Sequence, residues 1–247
     1  MGHARRLAGR VVVVVLLAGV LLVAGGAGGG AAAAVVARSS SVVGVSQELV
    51  GLEQATRVFA QAGGGGVVVV VSAVRPITGE RTVLPVVGQA SVAGAGWLEV
   101  LLPGRPNGHS GWISAASTTE TFTPWWITVR LSTRVVKVFN DGRLVRRFGA
   151  VVGAPATPTP AGRFFVEETV KLSAGYPGAP YALALSARSN ALRIFDGGPG
   201  QVALHGVNNI GGVLGSAVSH GCVRLSTTAI NWLAAHIAPG TPVTITP

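Results

Sequence analysis

The C-terminal half of the chain carries the clearest β-strand patterns. Residues 127–132, ITVRLS, alternate apolar and polar positions, as a strand with one buried face does. Two further strand-like runs, at 135–139 and 144–148, flank Asn140-Asp141-Gly142, which is a hairpin signal. The proline-containing stretch PATPTP then precedes the apolar run FFV, and PVTIT near the C-terminus is a last strand. These patterns predict a mostly β domain over residues 123–247.

A single helix is predicted within this domain. Apolar residues at positions 230, 233 and 237 fall on one helical face. Ser226 or Thr227 can cap the first turn, and Pro239-Gly240 ends the helix.

The N-terminal half has shorter apolar runs that alternate with turn-forming residues. Over residues 56–120 their spacing is that of short strands, with Asn107-Gly108 as a hairpin turn, which predicts a small antiparallel barrel. Residues 97–113, WLEVLLPGRPNGHSGWI, resemble a bacterial SH3-like domain, a kind of domain often attached to cell-wall enzymes. Residues 38–55 are predicted to form a linker with a short helix around SQELVGLEQA. The predicted fold class is therefore mainly β.

The first 37 residues have the features of an export signal. Arg5, Arg6 and Arg10 precede an apolar run over residues 11–24, and small residues continue to Ala37. A cleaved signal peptide is favoured, and an uncleaved membrane anchor through residues 11–24 is the alternative. Both predict that the rest of the chain is extracytoplasmic, either secreted to the cell wall or held at the outer face of the cytoplasmic membrane.

Composition and charge narrow the classes of partner. The net charge is +10, and without the three arginines of residues 1–37 there remain 16 basic and 9 acidic side chains, a net charge of +7. Such a surface suits an anionic cell wall or lipid headgroups, whereas the absence of basic clusters interleaved with aromatics argues against nucleic acid. Cys222 is the sole cysteine, which excludes an internal disulfide and a lipid-modified cysteine at the cleavage site.

Cys222 lies in the segment SHGCVRL at 219–225, and two histidines lie close to it in sequence. A thiol with an unperturbed pKa of about 8.5 needs a base or a cationic partner to act as a nucleophile. His220 precedes Cys222 by two residues, and His205 lies in ALHGVNN further upstream. Gly206 and Gly221 follow these histidines and allow close backbone approach, so that the amides of Gly221 and Cys222 could stabilise an oxyanion.

Three other interpretations of this cluster have less support in the sequence. A lone cysteine is commonly a small buried apolar residue, but two flanking histidines make that reading weaker here. A zinc site would need a fourth ligand, and no carboxylate occurs between Gln201 and the C-terminus, so no metal is predicted. A serine hydrolase at Ser219 lacks the Gly-x-Ser-x-Gly frame.

The segments LHG at 204–206 and SHGCVRL at 219–225, preceded by PTPAGRFFV and IFDGGPGQ, resemble the YkuD-type L,D-transpeptidase family. In that family a His-Gly pair is followed by a Ser/Thr-His-Gly-Cys segment that ends in Arg or Asn. The resemblance covers residues 126–247, about half of the chain. It implies a β-rich sandwich with the cysteine at one end, which agrees with the strand patterns.

The resemblance also implies acyl transfer in peptidoglycan without a cofactor. Cys222 would attack the carbonyl of the diamino residue at the third position of a tetrapeptide stem, release the terminal D-alanine and form a thioester. An amine of a neighbouring stem would then resolve the thioester into a 3→3 crosslink. An L,D-carboxypeptidase, in which water replaces that amine, and a non-catalytic wall-binding protein are the alternatives.

The same resemblance assigns candidate roles to the histidines. It aligns His205 with the general base, oriented by a backbone carbonyl at Gly206, and His220 with a second active-site histidine. Adjacency in sequence leaves open that His220, and not His205, takes the proton of Cys222.

Three further residues are candidates for substrate contact. Arg224 can hold a carboxylate through two hydrogen bonds, or can be an ordinary surface arginine. Residues 176–181, ending at Tyr181, can form a mobile lid or a passive loop. Ser219 is a further candidate, although fixing the turn by hydrogen bonding is the role favoured for it.

Overall fold

The computed structural model of the chain describes residues 43–247 and the backbone of Val36–Ala37. The predicted export signal over residues 1–37 falls outside the described residues, apart from the backbone of those last two. The described part of the chain contains no helix with the length and hydropathy that a membrane span requires.

The N-terminal sheet is made of short strands that pair antiparallel throughout. Its strands are β1 (Val36–Ala37), β2 (Gln47–Leu52), β3 (Thr56–Gln61), β4 (Gly64–Val71), β5 (Val83–Val92), β6 (Ala95–Leu101), β7 (Ser110–Ser114) and β8 (Thr118–Thr123). Their order is β4-β3-β7-β6-β5-β2-β8, with β1 beside β5, and a 3-10 helix at Ala115–Ser117 precedes β8. The strands and turns predicted over 56–120 are present, and the SH3-like assignment stays a prediction.

The short helix predicted around residues 46–55 is wrong. Residues 47–52 form β2, which pairs with β5 and with β8. Five of its six residues are buried, because both neighbouring strands and the core beneath cover them. Tertiary pairing therefore overrides a local sequence pattern that fits either element.

The C-terminal sheet mixes antiparallel and parallel pairs. Its strands are β9 (Trp125–Arg130), β10 (Val135–Asn140), β11 (Arg143–Gly149), β13 (Gly162–Lys171), β14 (Tyr181–Arg188), β15 (Gln201–Gly206), β17 (Val223–Leu225) and β18 (Pro242–Thr246), while β12 (Val152–Gly153) and β16 (Ala217–Ser219) form a small parallel pair. The order is β11-β10-β9-β18-β13-β14-β15-β17, in which β9–β18 and β15–β17 are parallel. The mainly β fold is confirmed.

The predicted helix is confirmed as α1, Thr227–His236, and it packs on this sheet. The Ser226 side chain caps it by accepting a hydrogen bond from the Ala229 amide at 3.2 Å. Ile230 and Leu233 are fully buried and join the core formed by the inner face of the sheet. The helix thereby covers the core side of β14 and β15.

The two sheets meet through buried contacts. Phe165 of β13 is 1% exposed and packs into the core of the N-terminal sheet. The buried Glu167 carboxylate forms ion pairs with Arg75, from the loop before β5, and with Arg188 at the end of β14. These contacts fix the N-terminal sheet against β13 and β14.

Candidate active site

Strand alternation brings the chemically active side chains to one face of the C-terminal sheet. In the parallel pair β15–β17, Leu204 lies opposite Val223 and His205 lies opposite Arg224. Leu204 and Val223 belong to the core beneath the sheet, so His205 and Arg224 lie on the other face. The same alternation places Cys222, the residue before β17, on the His205 face.

Cys222 is half-buried at the start of β17. Burial raises the pKa of its thiol above the ordinary value, and a hydrogen bond from the Ala203 backbone and the positive charge of Arg224 only partly oppose that rise. The thiol is therefore protonated at neutral pH and needs a base at the moment of attack.

His205 is buried on β15 with its ring held by one backbone contact. Nδ1 lies 2.8 Å from the Gly206 carbonyl oxygen, which is the contact predicted from the sequence. Because a carbonyl only accepts, Nδ1 carries the proton and Nε2 is left as the basic nitrogen. Burial lowers the pKa of His205, the Gly206 contact raises it, and the charge of Arg224 lowers it, with a net shift downward. The ring is thus neutral at pH 7.

Two glycines allow the chain to pack tightly around His205. Gly178 has φ +90°, and a Cβ there would lie 2.5 Å from Nδ1 of His205. A Cβ on Gly206 would overlap the Ala179 carbonyl oxygen. Gly178 also accepts the Gly206 amide and donates to the Asn208 carbonyl, each at 2.8 Å. These bonds tie residues 176–181 to the end of β15, which favours a fixed wall over the mobile lid.

His220 lies in a different environment from His205. It is exposed, and its ring centroid lies 5.5 Å from that of Phe195 in a tilted arrangement. It lines a small pocket with Cys222, and Leu192 and Phe195 of the loop 189–200 form the opposite wall.

The turn before Cys222 is held by Ser219. This residue is 1% exposed, and its hydroxyl donates to the Cys222 carbonyl at 2.6 Å and accepts from the Gly221 amide at 3.1 Å. These bonds bear out the turn-fixing role, and the role of Ser219 as a substrate contact stays a prediction. The Gly221 amide is engaged within the turn, so it would have to leave Ser219 before it could bind an oxyanion.

Arg224 is 6% exposed, so it is not the ordinary surface arginine that the sequence allowed. Its Nη1 donates to the Gly211 carbonyl at 3.1 Å, while Nε is buried without a hydrogen-bond partner in the structure. Burial lowers the pKa of Arg224, and the nearby Cys222 raises it. An unpaired buried N–H on the sheet face that carries Cys222 is a feature that an anionic or carbonyl ligand would satisfy.

Tyr181 is not in the site, which corrects its prediction as a substrate contact. Its strand neighbour Ala182 lies opposite His205 on β15, so Tyr181 itself lies on the other face of the sheet. There its ring packs against the core that includes Leu183 and Leu204. The register between β14 and β15, which decides this, is invisible in the sequence.

The sequence reasoning missed Gly178 and the pocket wall formed by the loop 189–200. Nothing in the local sequence GYPGAP shows that Gly178 packs against a histidine, because that contact is made with a distant strand. Over residues 43–247, no three His, Cys, Asp or Glu side chains come together as a metal site would require.

Comparison with known proteins gives consistent matches. The YkuD model of the L,D-transpeptidase catalytic domain matches residues 124–245. The YkuD protein of Bacillus licheniformis, named as a candidate L,D-transpeptidase, is 30% identical over 156 residues, which cover 60% of this chain and 86% of that protein. Its Bacillus subtilis counterpart is 26% identical over 146 residues, or 59% of this chain and 73% of that protein.

Solved structures provide more distant likenesses. An Enterococcus faecium L,D-transpeptidase mutant has 21% identity and a TM-score of 0.39, and the match covers 49% of each chain. An L,D-transpeptidase from Mycobacterium tuberculosis H37Rv has 18% identity and a TM-score of 0.43, with 64% of this chain and 92% of that chain covered. On the domain model and the Bacillus licheniformis relative, the chain belongs to the YkuD family of L,D-transpeptidase catalytic domains.

Proposed function

We propose that this protein is an extracytoplasmic L,D-transpeptidase that crosslinks peptidoglycan stem peptides through a thioester on Cys222. The observation that carries the proposal is the common sheet face shared by Cys222, His205 and Arg224 at the ends of β15 and β17. A nucleophile, a base with a fixed tautomer and a buried cation on one rigid surface are what acyl transfer requires.

His205 acts as the general base for acylation. Its Nε2 takes the proton of the Cys222 thiol while sulfur attacks the carbonyl of the third stem residue. The tetrahedral intermediate then collapses, the bond to D-alanine breaks, and the imidazolium returns the proton to the leaving amine. The bond from Nδ1 to the Gly206 carbonyl supports this role because it stabilises the imidazolium that forms in between.

Deacylation follows the same path in reverse. An acceptor amine attacks the thioester, His205 takes its proton, and the crosslinked amide leaves as the Cys222 thiol is restored. Water in place of the amine gives hydrolysis, which is the carboxypeptidase alternative.

The Cys222 amide is the oxyanion donor in this proposal, since the Gly221 amide is bonded to Ser219. Arg224 holds a polar group of the donor stem beside the thiol, which its unpaired Nε supports. His220 contacts the stem from the exposed side of the pocket and takes no proton from Cys222.

The setting of this chemistry is the cell envelope. The basic, apolar and small-residue succession in residues 1–37 supports export, with cleavage or anchoring through residues 11–24 as its two forms. The net positive charge supports association with an anionic wall. The N-terminal sheet is proposed to be an SH3-like domain that accompanies the catalytic sheet.

Purified protein incubated with tetrapeptide-containing muropeptides tests the proposal. Mass spectrometry should detect released D-alanine and 3→3 dimers with the wild type and neither product with Cys222→Ala. D-alanine without dimers would assign a carboxypeptidase instead. Identical results for both proteins would overturn the enzymatic proposal in favour of a wall-binding protein.

A further inference from the structure

A loop of the N-terminal sheet reaches the C-terminal sheet beside the pocket. This loop, residues 102–109, connects β6 and β7. Its Asn107 side chain pairs with both backbone groups of Arg188: Nδ2 donates to the Arg188 carbonyl at 2.7 Å, and Oδ1 accepts the Arg188 amide at 2.8 Å. The Gly104 amide adds a bond to the Ser186 carbonyl at 3.1 Å. The loop thus lies against the end of β14 like an additional short strand.

Arg105 of the same loop bridges the two ends of the loop 189–200. Its Nη2 donates to the Ser189 carbonyl at 2.5 Å, and its Nη1 donates to the Pro199 carbonyl at 3.0 Å. Ser189 and Gly200 are also joined directly, by a bond of 2.8 Å from the Ser189 amide to the Gly200 carbonyl. A planar guanidinium suits two carbonyls at fixed separation, which an ammonium group cannot match as well.

The clamped loop forms one wall of the Cys222 pocket. Leu192 and Phe195 line that pocket together with Cys222 and His220. The Ser189 hydroxyl accepts the Leu192 amide at 3.0 Å, so a shift of Ser189 would also shift Leu192 in the pocket wall. A displacement of Ser189 and Pro199, where the loop begins and ends, would change the width of the pocket without altering the face shared by β15 and β17.

We propose that Arg105 and Asn107 are positioning residues through which the N-terminal sheet sets the shape of the stem-peptide pocket by clamping the loop 189–200. The assignment of the pocket to a stem peptide rests on the proposed function. The clamp itself rests on the four hydrogen bonds that these two side chains make to backbone groups of residues 188, 189 and 199.

The clamp is separable from the contacts that hold the two sheets together. Phe165 and the ion pairs of Glu167 with Arg75 and Arg188 are buried and do not involve the Arg105 side chain. Asn107 contacts Arg188 through its backbone and not through the guanidinium that forms the ion pair. Loss of the Arg105 side chain should therefore leave the fold intact while it releases the two ends of the loop 189–200.

Steady-state kinetics of the full chain with a tetrapeptide donor give the first test. Arg105→Ala and Asn107→Ala should raise KM for the donor about tenfold and change kcat by less than about twofold, because a binding wall and not the reacting groups is disturbed. Arg105→Lys should recover only part of the loss. Arg57→Ala, an exposed arginine on β3 of the same sheet, is the matched control and should change neither constant. Unchanged KM in Arg105→Ala, with an unchanged melting temperature, would overturn the proposal.

Chemical modification of the Cys222 thiol gives a second test that needs no enzymatic activity. The wild type and each variant are labelled with iodoacetamide, which is small, and with an aromatic disulfide, which is bulky. The ratio of the bulky to the small rate should rise about fivefold in Arg105→Ala as the wall loosens, and should stay constant in Arg57→Ala. An unchanged ratio would overturn the clamp. A raised ratio in a protein that forms no crosslinks and releases no D-alanine would support the clamp while the proposed function fails.

Discussion

The two histidines beside Cys222 lie in regions of opposite character. His205 is 8% exposed on a strand of the sheet, and one backbone carbonyl fixes its tautomer. His220 is exposed in a turn, and Phe195 of a surface loop faces its ring. Distance along the sequence alone would favour His220 as the base, since it lies two residues from Cys222 whereas His205 lies seventeen residues away.

This difference indicates how the site divides its work. In the proposed mechanism, the groups whose orientation must not vary during proton transfer lie on β15 and β17, where alternation and the core beneath determine their direction. The groups proposed to contact a large and variable substrate lie on turns and loops around the pocket.

The largest effect is expected from His205→Asn. Asparagine can still donate to the Gly206 carbonyl but offers no basic nitrogen, so the acylation rate should fall about 10³-fold with little change in KM. Stopped-flow or quenched-flow mass analysis of acyl-enzyme formation measures the rate. A fall of less than about tenfold would assign the base elsewhere.

The next effect is expected from Gly178→Ala. A methyl group at this position, with φ +90°, would meet Nδ1 of His205 and push the ring from its place. We expect kcat to fall about 10²-fold, since small displacements of a reacting group are costly. Gly175→Ala is the matched control, because a Cβ there meets no atom within 4 Å and its activity should be that of the wild type. Equal activity of the two variants would show that the ring does not depend on this contact.

Much of this arrangement was predictable from the sequence because its signals are local. Asp141 and Gly142 both have positive φ in the predicted hairpin between β10 and β11, as a two-residue turn of this type requires. The capped helix α1 and the cysteine motif were equally visible. By contrast, the face on which Tyr181 lies depends on strand register, and the contacts of Arg105 join residues 84 and 94 positions apart. Neither strand register nor contacts between such distant residues can be predicted from the sequence of one segment.

A smaller effect is expected from His220→Asn, the same substitution in the exposed region. The proposed role of His220 is a contact with the donor stem on the pocket wall, so KM for the donor should rise about tenfold while kcat changes little. Donor-dependent kinetics separate the two constants. A collapse of kcat with unchanged KM would transfer the role of the base to His220.

The smallest effect is expected from Tyr181→Phe. The ring packs on the core face, away from Cys222, so removal of the hydroxyl should change kcat/KM by less than about twofold. The same kinetic assay measures it. A tenfold loss would mean that the hydroxyl reaches the substrate after all.

The pH dependence of acyl-enzyme formation distinguishes the two histidines most directly. The base must be neutral, and burial lowers the pKa of His205 below the ordinary histidine value, so the wild-type rate should fall only at acidic pH. Intact-mass measurement of the Cys222 adduct over time, from about pH 5 to about pH 10, gives these rates, a span that brackets the ordinary histidine and cysteine pKa values.

In His205→Asn the acidic limb should disappear, and the rate should instead rise through the alkaline range, because burial raises the pKa of the Cys222 thiol above the ordinary cysteine value. In His220→Asn the acidic limb should stay where it is in the wild type. Loss of that limb in His220→Asn, together with its persistence in His205→Asn, would contradict the assignment of His205 as the base.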